Sequence, residues 1–288
     1  MSLEILLLGG SGLLGSDLKI HLEHRGNNVA APTRDELDLN DDLSIQSYFL
    51  FAKPDWIINC AAYTAVDKAE TQEMEANYLN GAVPQILARN AKRLSARLLH
   101  VSTDFVFDGT KSEPYVETDP TNPLGVYGKS KLNGENLVFE YCDDPIVVRT
   151  AWLFGIHGNC FPKTILRAAQ QGKPLRVVAD QIGSPTFTQD LAAAIALLVE
   201  NGSPTGIYHV VNHGQASWYE FASQVLGVAG CKTEVSAIST EEWPTPATRP
   251  RYTVLDSSKY ESLGFSALPN WKDAVRRFVM ALEERGLE

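Results

Sequence analysis

Along the first half of the chain, short apolar runs without polar alternation recur, with amphipathic stretches between them. The runs are Ile5 to Leu8, Asn28 to Ala31, Trp56 to Asn59, Arg97 to Val101 and Ile146 to Arg149. Runs of this kind suit strands buried on both faces of a parallel sheet, and the stretches between them suit the covering helices. The rhythm is βαβα, so the expected fold class is α/β, with a Rossmann-like, doubly wound parallel sheet over residues 1–150. Beyond Thr150 the rhythm loosens. Asp190 to Glu200 still reads as a helix and Gly206 to Val211 as a strand, and the region near 175–212 is expected to return to the sheet. Residues 151–288 otherwise read as a smaller C-terminal domain, expected to be mainly substrate-binding. Trp243-Pro244-Thr245-Pro246-Ala247-Thr248-Arg249-Pro250 reads as a loop, because proline removes donors and fixes φ, and long loops in compact domains often bind something. Lys272 to Arg285 reads as an amphipathic terminal helix.

Composition narrows the function. With 44% hydrophobic and 21% charged residues the chain is ordinary globular material. A net charge of -10 without a basic cluster argues against nucleic acid as a partner, since phosphate neutralisation needs grouped Lys and Arg. A small anionic ligand held by one or two arginines and a helix N-terminus stays open. Cys60, Cys142, Cys160 and Cys231 are too scattered for a metal pair and read as free, packed thiols of a reducing compartment. No stretch approaches the ~20 apolar residues that span a bilayer, and Ile5 to Leu8 is too short for a signal-peptide core. The expectation is a cytoplasmic protein with no membrane partner.

Directly after the first run comes Gly9-Gly10-Ser11-Gly12-Leu13-Leu14-Gly15, followed by a helical stretch. Glycines here permit a tight turn and a close approach of backbone to a pyrophosphate, which then sits on the positive end of the helix. The first domain is therefore read as dinucleotide-binding. At the end of the second strand an acid would bond a ribose 2'-hydroxyl and a cation would accept a 2'-phosphate. The chain offers Ala31-Pro32-Thr33-Arg34, which favours NADPH, with NADH open because Asp35 and Glu36 follow and Arg34 reads equally as a solvated loop cation. Asp38 and Leu39 are placed around the adenine, and Ala61, Ala62 and Tyr63, after the third strand, along the cofactor's centre.

Tyr127 and Lys131 are four residues apart, which on a helix puts phenol and ammonium on one face. A neighbouring ammonium favours phenolate and is expected to lower the tyrosine pKa towards neutrality, where it exchanges a proton with an alcohol or ketone. The pairing alone is a common surface accident. Ser102-Thr103-Asp104 at the end of the preceding strand adds a hydroxyl where ligands bind to a parallel sheet.

These features resemble the extended short-chain dehydrogenase/reductase superfamily, and more narrowly the dTDP-4-dehydrorhamnose reductase family. The narrower likeness is carried by Asn59-Cys60-Ala61-Ala62-Tyr63-Thr64-Ala65-Val66-Asp67-Lys68-Ala69-Glu70, Ser102-Thr103-Asp104-Phe105-Val106-Phe107-Asp108-Gly109, Pro123-Leu124-Gly125-Val126-Tyr127-Gly128-Lys129-Ser130-Lys131, Arg149-Thr150-Ala151-Trp152 and Asp180-Gln181-Ile182-Gly183-Ser184-Pro185-Thr186. The resemblance implies hydride transfer from NAD(P)H to the C4 ketone of dTDP-4-dehydro-6-deoxy-L-mannose, giving dTDP-L-rhamnose. It implies Tyr127 as proton donor, Lys131 as holder of the nicotinamide ribose, Thr103 on the carbonyl oxygen and Asp104 orienting the sugar. Val66 and Trp152 are implied at the deoxyhexose, Trp152 being equally readable as a core residue, and Arg249 at the diphosphate or thymidine.

Some members of that family hold magnesium at a dimer interface through glutamates. Here the first such position carries Gln189 and the second falls near Ala281, with Glu283 and Glu284 close by, so no intrinsic metal is expected and a homodimer stays open. Arg251-Tyr252-Thr253-Val254 departs from the Asn and Ser commoner there, which leaves nucleotide recognition open. Two other readings stand beside the reductase. One is a related nucleotide-sugar reductase or epimerase with a different sugar, and the other is a non-catalytic dinucleotide-binding regulatory subunit, a role the same fold plays for methionine adenosyltransferase. Thr103, Tyr127 and Lys131 are all present, which favours turnover.

Overall fold

The computed structural model describes residues 2–172 and 174–286. The leucine- and isoleucine-rich runs become β1 (Glu4–Leu8), β2 (Asn28–Ala30), β3 (Trp56–Asn59), β4 (Arg97–Thr103) and β5 (Pro145–Thr150). Seven more strands follow, β6 (Leu153–Phe154), β7 (Leu175–Val178), β8 (Ile182–Gly183), β9 (Thr186–Phe187), β10 (Gly206–His209), β11 (Ala216–Ser217) and β12 (Val235–Ile238). The main sheet has six strands in the order β10-β5-β4-β3-β1-β2, every pairing parallel. The helices are α1 (Leu13–His24), α2 (Asp42–Phe49), α3 (Val66–Ala69), α4 (Glu73–Asn77), α5 (Val83–Leu94), α6 (Val126–Tyr141), α7 (Phe161–Gln170), α8 (Thr188–Glu200), α9 (Trp218–Val228), α10 (Ser258–Glu261) and α11 (Trp271–Glu284). A π-helical turn, Tyr78–Ala82, joins α4 to α5.

Side chains alternate across each strand, so both faces of the sheet need cover. Ile5, Leu7, Ile58, Leu99 and Val148 face α1 and α8, where Leu14, Leu18, Leu22, Ile195 and Leu198 close on them. Leu6, Leu8, Ile57, Leu98 and Val147 face α2, α5 and α6, which contribute Ile45, Phe49, Leu87, Ala88 and Val138. Each fully buried leucine is worth about 2–3 kcal/mol of transfer free energy. A third cluster, with Phe154, Phe187, Phe221, Trp271 and Phe278, sits where β6, β9, α9 and α11 meet. It builds a second body beyond the carboxyl edge of the sheet.

Several boundaries move. β2 stops at Ala30, short of Ala31, and is an edge strand with Asn28 and Ala30 exposed rather than buried on both faces. β4 runs on to Thr103, because Ser102 and Thr103 keep pairing with Arg149 and Thr150. β10 ends at His209, and α8 begins two residues early at Thr188. The terminal helix is Trp271–Glu284, capped by Asn270, whose side chain accepts from the Lys272 amide. Of the cysteines, Cys142 is buried, whereas Cys60, Cys160 and Cys231 are only half-buried, contrary to the expectation for all four. None of the described helices is long and apolar enough to cross a membrane.

Candidate active site

The glycine turn is shaped by close approach. Gly9 has φ +78°, and a Cβ there would lie 2.8 Å from the Ala61 nitrogen, so only glycine suits the position. A Cβ on Gly15 would run into the Gly9 carbonyl oxygen, which lets α1 start hard against the turn. The Gly12 amide donates to Gly9 O at 2.9 Å, and no side chain caps the helix. The first-turn amides of α1 therefore remain free donors for an anion. Gly12 and Ser11 are exposed and Leu13 half-buried, while Leu14 turns its side chain into the core. A cradle that any Cβ would fill, ending on open helix amides, fits a dinucleotide pyrophosphate.

Around this turn, Arg34 is solvated, 77% exposed, and only 3.7 Å from Asp38, its nearest carboxylate. Asp38 accepts from the Asn40 amide and Leu39 packs against the core. Ala61 donates its amide to Asn59 Oδ1 at 3.1 Å. The Tyr63 backbone is clamped at both ends by Asn80, buried in the π-helical turn, which accepts from Tyr63 N at 2.8 Å and donates to Tyr63 O at 3.0 Å. The π-turn carries Asn80 inward, and its amide also donates to Ser130 on α6.

Tyr127 and Lys131 lie on α6, with Glu135 one turn further on. Glu135 forms a buried bidentate pair with Arg149, at 2.7 Å for the closest contact, and accepts from Ser102. This triad ties α6 to β4 and β5, and so fixes the phenol over the strand end that carries Thr103. Thr103 Oγ1 donates to Asp104 Oδ1 at 3.0 Å and accepts from the Phe105 amide at 3.2 Å. Asp104 is buried, its second carboxylate oxygen has no partner among the described residues, and burial pushes it up to about 6.

The tyrosine behaves differently from the expectation. Burial pushes the Tyr127 phenol up to about 12, the Thr103 hydroxyl pulls it back, and the Asp104 carboxylate adds to the rise. Lys131 does not depress it, because its Nζ is turned to Val101 O at 2.7 Å and His100 Nε2 at 3.3 Å. Local spacing reveals a nearby ammonium but not the burial that outweighs it.

The remaining predicted residues reach the site from other elements. Val66 opens α3, half-buried. Next to it Asp67 takes Arg249 in a bidentate pair, 3.0 and 2.9 Å, so Arg249 is held by the protein itself in this state. Glu70 Oε1 accepts from the Val126 amide at 2.9 Å at the start of α6. The proline-rich loop, α3 and the Tyr127 helix thus converge. Trp152 has a left-handed φ of +47°, stacks on Trp218 with centroids 3.5 Å apart, and presses against Gly183. Such a conformation costs roughly 1–3 kcal/mol and persists where surroundings impose it, often at ligand sites. Asn59, Asn80, His100, Glu135, Arg149 and Trp218 escape a reading of the sequence for site residues. A signal exists for Asn59 and His100, polar residues inside otherwise apolar strand runs, and for Glu135, which continues the Tyr127 and Lys131 spacing.

A half-buried phenol and a buried amine one helical turn apart, at the carboxyl edge of a parallel sheet whose first turn is built for a pyrophosphate, is the arrangement of a short-chain dehydrogenase/reductase. The added body beyond β5 makes it one of the extended type. A family model described as the RmlD substrate binding domain matches residues 3–284. The Bacillus subtilis spore coat polysaccharide biosynthesis protein SpsK is 39% identical, over 98% of this chain and 98% of its own length. The dTDP-4-dehydrorhamnose reductase of Burkholderia thailandensis is 38% identical, over 95% of this chain and 97% of its own. The crystal structure of dTDP-4-dehydrorhamnose reductase from Bacillus anthracis in complex with NADP matches with a TM-score of 0.94 at 35% identity, covering 98% of this chain and 100% of that one. The chain belongs to the dTDP-4-dehydrorhamnose reductase family and is an enzyme.

Proposed function

We propose that the protein reduces the C4 ketone of dTDP-4-dehydro-6-deoxy-L-mannose to dTDP-L-rhamnose, with NADPH preferred and NADH as the alternative donor. The observation that carries this reading is the convergence of Thr103, Asp104, Tyr127 and Lys131 at the carboxyl edge of the parallel sheet whose first strand leads into the glycine turn. The Bacillus anthracis relative, crystallised with NADP, supports the choice of dinucleotide. The bound cofactor supplies the hydride. The chain supplies the rest: Gly9, Ser11, Gly12, Leu13, Leu14 and Gly15 receive the pyrophosphate on their backbone, and Arg34 takes the 2'-phosphate. Asp38 and Leu39 border the adenine, with Ala61, Ala62 and Tyr63 further along.

At the reacting carbon, Thr103 turns its hydroxyl from Asp104 to the carbonyl oxygen, and Tyr127 gives its proton to the alkoxide. A phenol held up to about 12 is fully protonated at neutral pH, which suits donation in the direction of reduction. Lys131 holds the nicotinamide ribose, Asp104 orients the sugar, and Val66 and Trp152 flank it. Arg249 exchanges Asp67 for the diphosphate of the nucleotide.

The test is oxidation of NADPH with enzymatically generated dTDP-4-dehydrorhamnose, with NADH in parallel and the product identified by NMR. dTDP-L-rhamnose formed faster with NADPH is expected. Dinucleotide binding without oxidation would overturn the reading and point to another sugar or to a regulatory subunit.

A further inference from the structure

His100 lies in the middle of β4, fully buried, with both ring nitrogens engaged. Asn59, at the end of β3 and equally buried, is its neighbour on one side at 3.0 Å, and Lys131 Nζ on the other at 3.3 Å. Hydrogen-bond accounting sets the direction of this chain. The Ala61 backbone amide can only donate, and it donates to Asn59 Oδ1. The other end of the Asn59 side chain is therefore the NH2 group, which donates to His100 Nδ1. A neutral imidazole that accepts at Nδ1 carries its proton on Nε2, and His100 is neutral because full burial disfavours its cation. The Nε2–H then points at Lys131 Nζ. An ammonium has no lone pair to receive it, whereas an amine does, and an amine still has a hydrogen for Val101 O.

Building on the assignment of Tyr127 and Lys131 above, we propose that His100, oriented by Asn59, is a positioning residue that donates to Lys131 and stores it as an uncharged amine facing β4. Charging the lysine adds one proton, from solvent, at Nζ. The Nε2 of His100 must then accept, its proton must sit on Nδ1, and Asn59 must turn its oxygen to the ring. That turn releases the Ala61 amide at the edge of the dinucleotide cleft. The relay thus couples the charge of Lys131 to the backbone that borders the cofactor, and the charged lysine with three donors is the working form. The groups facing Lys131 are Glu135 on its own helix and Cys60 after β3, both favouring the charge, together with His100. Burial opposes the charge and pulls the lysine down to about 8, so the amine becomes the major form above that pH.

The experiment is 15N-edited NMR of the imidazole nitrogens in the full chain without ligand, His100 being identified by the signal lost in His100→Gln. Above pH 8, where Lys131 is the amine, an unprotonated Nδ1 and protonated Nε2 are expected, and a proton on Nδ1 there would overturn the proposal. A second variant, Asn59→Asp, keeps an acceptor for Ala61 but accepts from Nδ1–H, so it reverses the tautomer and lets Lys131 keep its proton. The alkaline limb of the kcat/KM profile then moves up by about one pH unit, a tenfold change in proton affinity, and an unmoved limb in a folded Asn59→Asp protein would also overturn it. If that variant does not fold, the tautomer in the unaltered chain decides alone. Full turnover by Tyr127→Phe would instead remove the assigned catalytic pair, which the tautomer measurement does not touch.

Discussion

Asp104 is a carboxylate placed where burial resists its charge, and its replacement by asparagine gives a pH dependence that follows from the structure. Folding raises its pKa from 3.8 to about 6. Between those values the native state binds more protons than the unfolded chain, so stability falls as pH rises through this window. The span of about 2 pH units corresponds to about 3 kcal/mol at 1.36 kcal/mol per unit. An asparagine side chain cannot titrate, so the constant effects of the substitution cancel when the two proteins are compared across pH. Urea unfolding of wild type and Asp104→Asn at intervals from pH 4 to pH 8 reads the difference directly. The wild type should gain most of this, about 2.5 kcal/mol, relative to the variant on acidification from pH 8 to pH 4, because pH 4 lies just above the unfolded carboxyl value. A difference that is flat, or that grows with rising pH, would mean that the Asp104 carboxylate is stabilised where it sits, and the reasoning from burial would be wrong. The same residue is assigned to the sugar, so the variant is expected to lose activity at every pH.

Three other substitutions test the packing around the site. Glu135→Gln leaves the Arg149 guanidinium buried without its counter-charge, and should cost roughly 3–5 kcal/mol in urea denaturation; Glu135→Leu with Arg149→Met should recover much of it. Gly15→Ala places a Cβ on the Gly9 carbonyl and should weaken NADPH binding, followed by its fluorescence, by at least about tenfold, or about 1.4 kcal/mol. Unchanged binding would show that the turn yields. Asp67→Ala breaks the pair with Arg249, which is partly exposed, so its cost should stay within roughly 1 kcal/mol. The contribution of Asp67, whose pKa is lowered first by the Arg249 hydrogen bond, is present above the unfolded carboxyl pKa and fades as pH falls through the folded one. The Asp67→Ala effect should shrink in an Arg249→Ala background to what the hydrogen bond from the Ala247 amide contributes.

What the sequence reveals depends on how local the cause is. β1, β3 and β5 are readable as continuous apolar runs because both faces of the sheet are covered. β2 is an edge, so its run predicts burial that the fold does not require. The two-residue strands β6, β8, β9 and β11 carry no period long enough to detect. Gly9 to Gly15 and Tyr127 with Lys131 are legible because their chemistry sits within one turn of chain. Arg249 stands out in the sequence as the cation of the proline-rich loop, but its partner Asp67 lies 182 residues away, and no spacing rule reaches that far. The Asn59, His100 and Lys131 chain is hidden for the same reason, since it joins β3, β4 and α6. The tyrosine pKa is misjudged from spacing because a helical repeat shows the neighbouring amine, while burial and the direction of Lys131 are properties of the folded whole.

The central claim is that Tyr127 is the proton donor at a ketone placed by Thr103. It is tested most directly by comparing wild type and Tyr127→Phe in two assays, NADPH binding and NADPH oxidation with dTDP-4-dehydrorhamnose. The account predicts equal cofactor affinity and a loss of turnover of about 10²-fold or more, because only the proton donor is removed. Turnover by Tyr127→Phe at the wild-type rate would contradict it.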